Sequence, residues 1–242
     1  MINLFEVSTI NPFARFGLIH AFWHINLETL LYTWVVLAVV IIIVAIFNIA
    51  LAYNHDILLF GLLSFVKTFK DLVTQTLGFY SFGHTAFILT LFTFIFLSNS
   101  LGIIPGLEEP TSDLNTTLAL GITSFLYIQI NSIRVHGIFG YLGEFFQPFF
   151  FMMPLNIVGE LASIMSISFR LFGNIFGGLI IGKLYYGAIG GVAILEILGM
   201  ISGLNLILIL FLGLFTGAVQ AFVFSILSLT YLSLAIQMDE EE

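Results

Sequence analysis

The 242 residues include no cysteine, which excludes disulfides and thiolate metal sites. Charge is nearly as scarce. Asp, Glu, Lys and Arg make up 8% of the chain, against about 25% in soluble domains. A chain with so little charge cannot coat a soluble globule. Only 6 residues are basic, so no nucleic-acid face can be assembled. The pattern GxxxxGK[ST] does not occur, so a phosphate-cradling nucleotide loop is not expected. His20, His24, His55, His84 and His136 fall at segment ends or in loops, which argues against a haem-bearing electron carrier. No cofactor and no metal are expected. MINLFEVSTINPFARFG at the start lacks a basic stretch leading into an apolar one, so no cleaved leader is expected.

What is abundant is apolar. Hydrophobic residues make up 60% of the chain, with 28 Phe. The expected fold class is an all-α polytopic membrane protein, a single membrane domain over residues 1–242, with crossings of roughly 20 residues each. The net charge of −8 gathers largely in the tail Asp239–Glu242 and the loop that holds Glu108, Glu109 and Asp113.

The first span is expected at 27–53, with Trp34 and Tyr53 suited to the two interfaces. Residues 56–78 differ: Leu62, Phe65, Val66, Phe69, Leu72, Val73 and Leu77 recur at helical spacing, with Lys67, Lys70, Asp71, Thr74 and Gln75 opposite. That pattern predicts an amphipathic helix in the membrane plane; a helix packed on protein is the alternative. Further spans are expected at 84–104 and 115–133, and an aromatic, proline-broken interfacial connector at 137–154. Two long tilted helices, 155–188 and 192–237, would close the chain as a hairpin. The second is longer than one perpendicular crossing needs, so it is strongly tilted, broken or double. Placing Lys67, Lys70 and Arg134 in the cytoplasm puts the N-terminus and the Glu108–Asp113 loop outside, and the C-terminus inside.

Arg170 is the residue that needs explaining. A charge at mid-bilayer costs roughly 2.5–3.5 kcal/mol on insertion scales. Ser163, Ser166, Arg170, Asn174 and Gly177 follow one another at steps of three or four, with Glu160 a turn earlier. They form one small, polar stripe on a helix. Gly213, Thr216, Gly217, Gln220, Ser228 and Tyr231 form a matching stripe on the last segment. Two such faces can enclose a polar path or meet a partner. Two plainer readings stand beside this: a buried ion pair of Arg170 with Glu160 or Glu196, and interhelical hydrogen bonding by Asn174 and Gln220.

RLFGN at Arg170–Asn174, preceded by PLNIVGE (Pro154–Glu160) and followed by QAFVFSILSLTYLSLA (Gln220–Ala235), resembles subunit a of the F-type ATP synthase. PTSDLNTTLAL (Pro110–Leu120) and FWHINLETL (Phe22–Leu30) resemble its bacterial members. The resemblance implies a stator subunit beside a rotating c-subunit ring, with peripheral-stalk b subunits and a soluble ATPase sector as partners. Two half-channels would reach a ring carboxylate from opposite sides, with Arg170 between them. No catalytic site is then expected in this chain, and the membrane would be the bacterial inner membrane. Asn174 and Gln220 match polar positions near the arginine, and Asp113 an acid of the outer loop.

The chain departs from the family at three points, one of them Ser163–Ile164, where members usually carry a basic residue and a proline. Many members carry a glutamate nine residues after the arginine, where this chain has Leu179. Others carry a histidine or glutamate seven residues before the glutamine, where it has Gly213. Glu160, Glu196, Glu144 and Asp113 remain as acids that could serve, with Glu196 preferred. The transported ion is expected to be the proton, with sodium as the other candidate. A self-contained secondary transporter is the alternative function. It requires a substrate site within one chain, usually in repeated halves, and no repeat is found.

Overall fold

The computed structural model describes residues 9–10, 25–53, 56–104, 107–146, 149–190, 199 and 202–237. A two-residue antiparallel pairing, β1 (Thr9–Ile10) with β2 (Ile25–Asn26), leads into an otherwise helical molecule. The helices are α1 (Leu27–Tyr53), α2 (Asp56–Leu77), α3 (Phe82–Ser100), α4 (Leu114–Glu144) and α5 (Met153–Ile189). A short α6 (Leu204–Leu208) runs through a π-helical stretch, Ile209–Phe215, into α7 (Thr216–Gln237). Five stretches among the described residues are long and apolar enough to cross a membrane: Leu27–Ile49, Phe82–Ile103, Leu114–Gly143, Phe150–Ile189 and Leu204–Ile236. The chain is an all-α polytopic membrane protein.

Helix α7 is the centre of the bundle, in contact with α2, α3, α4 and α5. Its buried residues Leu229 and Leu232 meet Phe69, Val73 and Leu77 of α2, Ile88 of α3 and Ile128 of α4. Phe69, Val73 and Leu77 sit four apart, so they share one face of α2. Phe65 and Val66, earlier in the same apolar stripe, stay exposed. The C-terminal half of α2 is therefore packed on protein.

Polar side chains tie the helices where small residues let them approach. The Ser124 and Ser228 hydroxyls lie 3.2 Å apart between α4 and α7. Ser233 donates to the Thr76 carbonyl at 2.9 Å, joining α7 to α2. Fully buried Asn99 of α3 donates through Nδ2 to the Gly217 carbonyl at 3.0 Å and accepts from Thr111 Oγ1 at 2.6 Å. A Cβ at Gly217 would lie 2.7 Å from Asn99 Cβ, so glycine sets how closely α3 and α7 approach.

Two features differ from the sequence expectation. The helix that begins at Leu114 runs past 133 to Gly137, whose non-helical φ of 73° and ψ of 168° suit glycine, and a second helix continues from there to Glu144 within the expected connector. Pro154 opens α5 rather than breaking it, because the first helical turn has no N–H partner to lose. Among the described residues the terminal helical run is seen from Leu204, after Gly203 with a φ of 69°; the expected start at 192 lies outside the described residues.

Candidate functional site

Arg170 lies on the exposed side of α5, with Phe169, Gly173 and Asn174 also exposed. Among the described residues it has no ion-pair or hydrogen-bond partner. The ion pair with Glu160 does not form: Glu160 Oε2 instead accepts from Gln129 Nε2 of α4 at 2.9 Å. One turn along α5 from Arg170, Asn174 Nδ2 donates to Gln220 Oε1 of α7 at 2.7 Å. Gln220 is buried and its Nε2 has no partner. Arg170, Asn174 and Gln220 thus make one polar layer, with a charge at the outer edge and an uncommitted amide inside.

Behind this layer the interior is apolar. Ile167, Leu171 and Ile175 of α5 pack with Leu91 and Ile95 of α3 and with Ala221 and Phe224 of α7. Leu171, Ile95, Ala221 and Phe224 are fully buried. Two cavities approach this plug from its two ends. The smaller, about 180 Å³, lies among α4, α5 and α7, and its polar lining includes Gln129, Glu160, Ser163, Ser124 and Ser228. Ile167 and Phe224 form its inner end. The larger, about 450 Å³, lies on the other side of the layer and reaches inward to Asn99 and Ile175. Both are large enough for several waters, each of which takes up about 30 Å³ in the liquid. From Ile167 to Ile175 the helix rises about 12 Å, and the apolar cluster lies in that interval.

The larger cavity is lined by Glu28, Glu108 and Glu109 and by the cation Lys183. Lys183 Nζ meets Glu108 Oε1 at 2.8 Å, with both side chains about half exposed. Burial pushes the Glu109 carboxyl above the usual carboxylate range; its own backbone amide and Lys183 oppose that shift, while Glu108 adds to it. Leu179 and Gly213, the two positions without a titratable group, both line this cavity.

The sequence-predicted residues therefore separate. Arg170, Asn174 and Gln220 come together, and Glu160 lies in the smaller cavity. Asp113 caps α4: its Oδ1 accepts from the Asn115 amide at 3.0 Å, and its Oδ2 from Thr29 Oγ1 of α1 at 3.2 Å. It does not line the larger cavity. Glu196 lies outside the described residues. No group of three or more His, Cys, Asp or Glu that could hold a metal occurs among the described residues.

The family model described as ATP synthase A chain matches residues 30–233, which span both cavities and the layer between them. The chain belongs to this family. It is 38% identical over 169 residues to ATP synthase subunit a of Moorella thermoacetica, covering 70% of this chain and 72% of that one. It is 32% identical over 232 residues to ATP synthase subunit a 2 of Acaryochloris marina, covering 90% and 91%. The subunit a of Desulforamulus reducens is 31% identical over 228 residues, covering 88% and 82%. Within this subunit a family, the residue that sequence reasoning passed over is Glu109. It stood in a loop noted only for its negative charge. The available signal was its position directly before Pro110, where a tight turn fixes its backbone.

Proposed function

We propose that this chain is the ion-translocating stator subunit of a rotary F-type ATP synthase. The two cavities are its half-channels, open to opposite faces of the membrane. One observation carries this reading: an apolar cluster lies between two cavities that each carry polar side chains, and beside it stands an exposed arginine without a partner among the described residues. The apolar packing and the Arg170 charge together oppose a direct crossing, so an ion leaves one cavity sideways, rides on a carboxylate of a turning c-subunit ring, and returns to the other cavity.

Arg170 stays charged because a guanidinium does not lose its proton at any working pH. Beside it an arriving carboxylate is stabilised in its ionised form and releases its cation. The same positive charge blocks a direct leak between the cavities. Asn174 and the free Gln220 Nε2 offer hydrogen bonds to the carboxylate as it passes. Glu160 serves the cytoplasmic half-channel. Asp113 holds the outer loop, and Glu196 is retained as an acid near the turn before α6. The ion is a proton. The driving force is about 2.3 kcal/mol per charge per 100 mV of membrane potential.

ATP chemistry belongs to a soluble sector, and b subunits of a peripheral stalk hold the chain still. The membrane is the bacterial inner membrane, with the N-terminus outside and the C-terminus in the cytoplasm. Helix α2 lies in the membrane plane, and α5 and α7 are tilted. Purification in mild detergent tests the assignment. The chain is expected to bring down a ring of small hairpin proteins and a soluble ATPase, and inverted vesicles holding the complex are expected to pump with ATP in sodium-free buffer. A chain that purifies alone and transports a solute unaided is the self-contained transporter. Pumping that needs sodium overturns the choice of ion.

A further inference from the structure

We infer that the Glu109 carboxyl is the group in the larger cavity that takes up the transported cation and passes it toward Gln220 and Arg170. The inference rests on the reading of that cavity as an ion path.

The loop holds Glu109 in place. Its carbonyl accepts from the Ser112 amide at 2.9 Å and from Ser112 Oγ at 2.7 Å, and the buried Pro110 follows. The side chain extends over Gly102, in the 3₁₀ turn that ends α3. A Cβ added at Gly102 would collide with the Glu109 carboxylate. Gly102 does not have a positive φ, so backbone conformation does not demand glycine. The missing side chain makes room for the carboxyl.

From there a polar route leads inward. Asn99, one turn before Gly102, lines the same cavity and bonds the Gly217 carbonyl. Gly217 lies one turn from Gln220, which holds Asn174. The other titratable groups around the cavity are less suited. Glu108 is tied to Lys183. Glu28 is exposed on the first turn of α1. Tyr185 donates to Asn205 Oδ1. Tyr32 and Tyr186 carry no carboxyl. Glu109 is partly withdrawn from water, and burial raises its pKa. That brings its neutral and ionised forms closer together at working pH, as a relay requires.

Glu109→Gln in the intact complex is expected to cut ATP-driven pumping in inverted vesicles by about a hundredfold. The amount of assembled complex should stay normal, and Glu109→Asp should recover part of the rate. A Glu109→Cys complex gives a second test that does not depend on assembly of the amide variant, since the chain has no other cysteine. Iodoacetate, which restores a carboxyl at that position, is expected to restore pumping; iodoacetamide, which adds a neutral amide, is not. The unsubstituted complex takes both reagents as the control. Normal pumping by Glu109→Gln, or equal effects of the two reagents, overturns the inference. An Arg170→Ala complex measured alongside separates the two claims. If it is inert while Glu109→Gln pumps, only the role of Glu109 falls. If it pumps normally, the ion-path reading falls as well.

Discussion

Arg170→Ala is expected to abolish ATP-driven ion pumping while the complex assembles at its normal level. Both halves of this outcome follow from where the side chain sits. Arg170 is exposed on α5 and makes no ion pair or hydrogen bond among the described residues. Its removal therefore leaves no internal partner unsatisfied, and the helix packing through the buried Leu171 and Ile167 does not involve it. The loss falls on the passing carboxylate. A guanidinium about 4 Å from a carboxylate stabilises the ionised form by about 4 kcal/mol at the effective dielectric of a protein surface. Without it the ring carboxylate keeps its ion past the polar layer, and the section between the cavities loses its barrier to leakage. Arg170→Lys restores a charge but not the planar fork, so partial recovery at most is expected. Pumping in inverted vesicles, with the assembled complex quantified in the same membranes, reads both outcomes.

Asn99→Leu is expected to reduce the amount of folded chain in the membrane strongly. Asn99 is fully buried and works in both directions, donating to the Gly217 carbonyl and accepting from Thr111. Leucine has a similar volume but offers neither bond. The Gly217 carbonyl and the buried Thr111 hydroxyl would each lose a partner, at about 1–3 kcal/mol apiece. Together that is a large share of the 5–15 kcal/mol by which a typical domain is stable. The same contact fixes the α3–α7 spacing, since Gly217 has no room for a Cβ against Asn99. A lower melting temperature of the detergent-solubilised complex and less chain per membrane area are the expected readings.

The polar layer was legible in the sequence because helical spacing alone puts Ser163, Ser166, Arg170 and Asn174 on one stripe. The pairing of Asn174 with Gln220, 46 residues apart, needed the approach of two helices. The family resemblance supplied that approach; composition did not. Helix ends were harder to read. Gly137 looks like a terminator and does interrupt the helix, but a second helix starts directly after it where an irregular connector was expected. Pro154 looks like a breaker, yet it occupies a first turn where proline is tolerated. The acids show the clearest limit. Asp113 stood out by its motif, and its carboxylate is engaged in capping α4 and holding α1. Glu109 lay in the same loop without a periodic pattern to mark it. Its distinction comes from Gly102, a residue of the preceding helical turn whose missing side chain leaves it space. A contact of that kind between loop and helix leaves no periodic trace in the sequence.

On the proposed function the two cavities open to opposite faces of the membrane and do not join. The cysteine-free chain permits a direct test. Ser163→Cys places a thiol in the smaller cavity, and Gly182→Cys places one in the larger, where an added Cβ meets nothing within 4 Å. In oriented vesicles, a membrane-impermeant thiol reagent is predicted to label the first variant only from the cytoplasmic face and the second only from the outer face. Labelling of both thiols from one face would contradict the account, because a single continuous opening cannot force an ion onto a turning carboxylate.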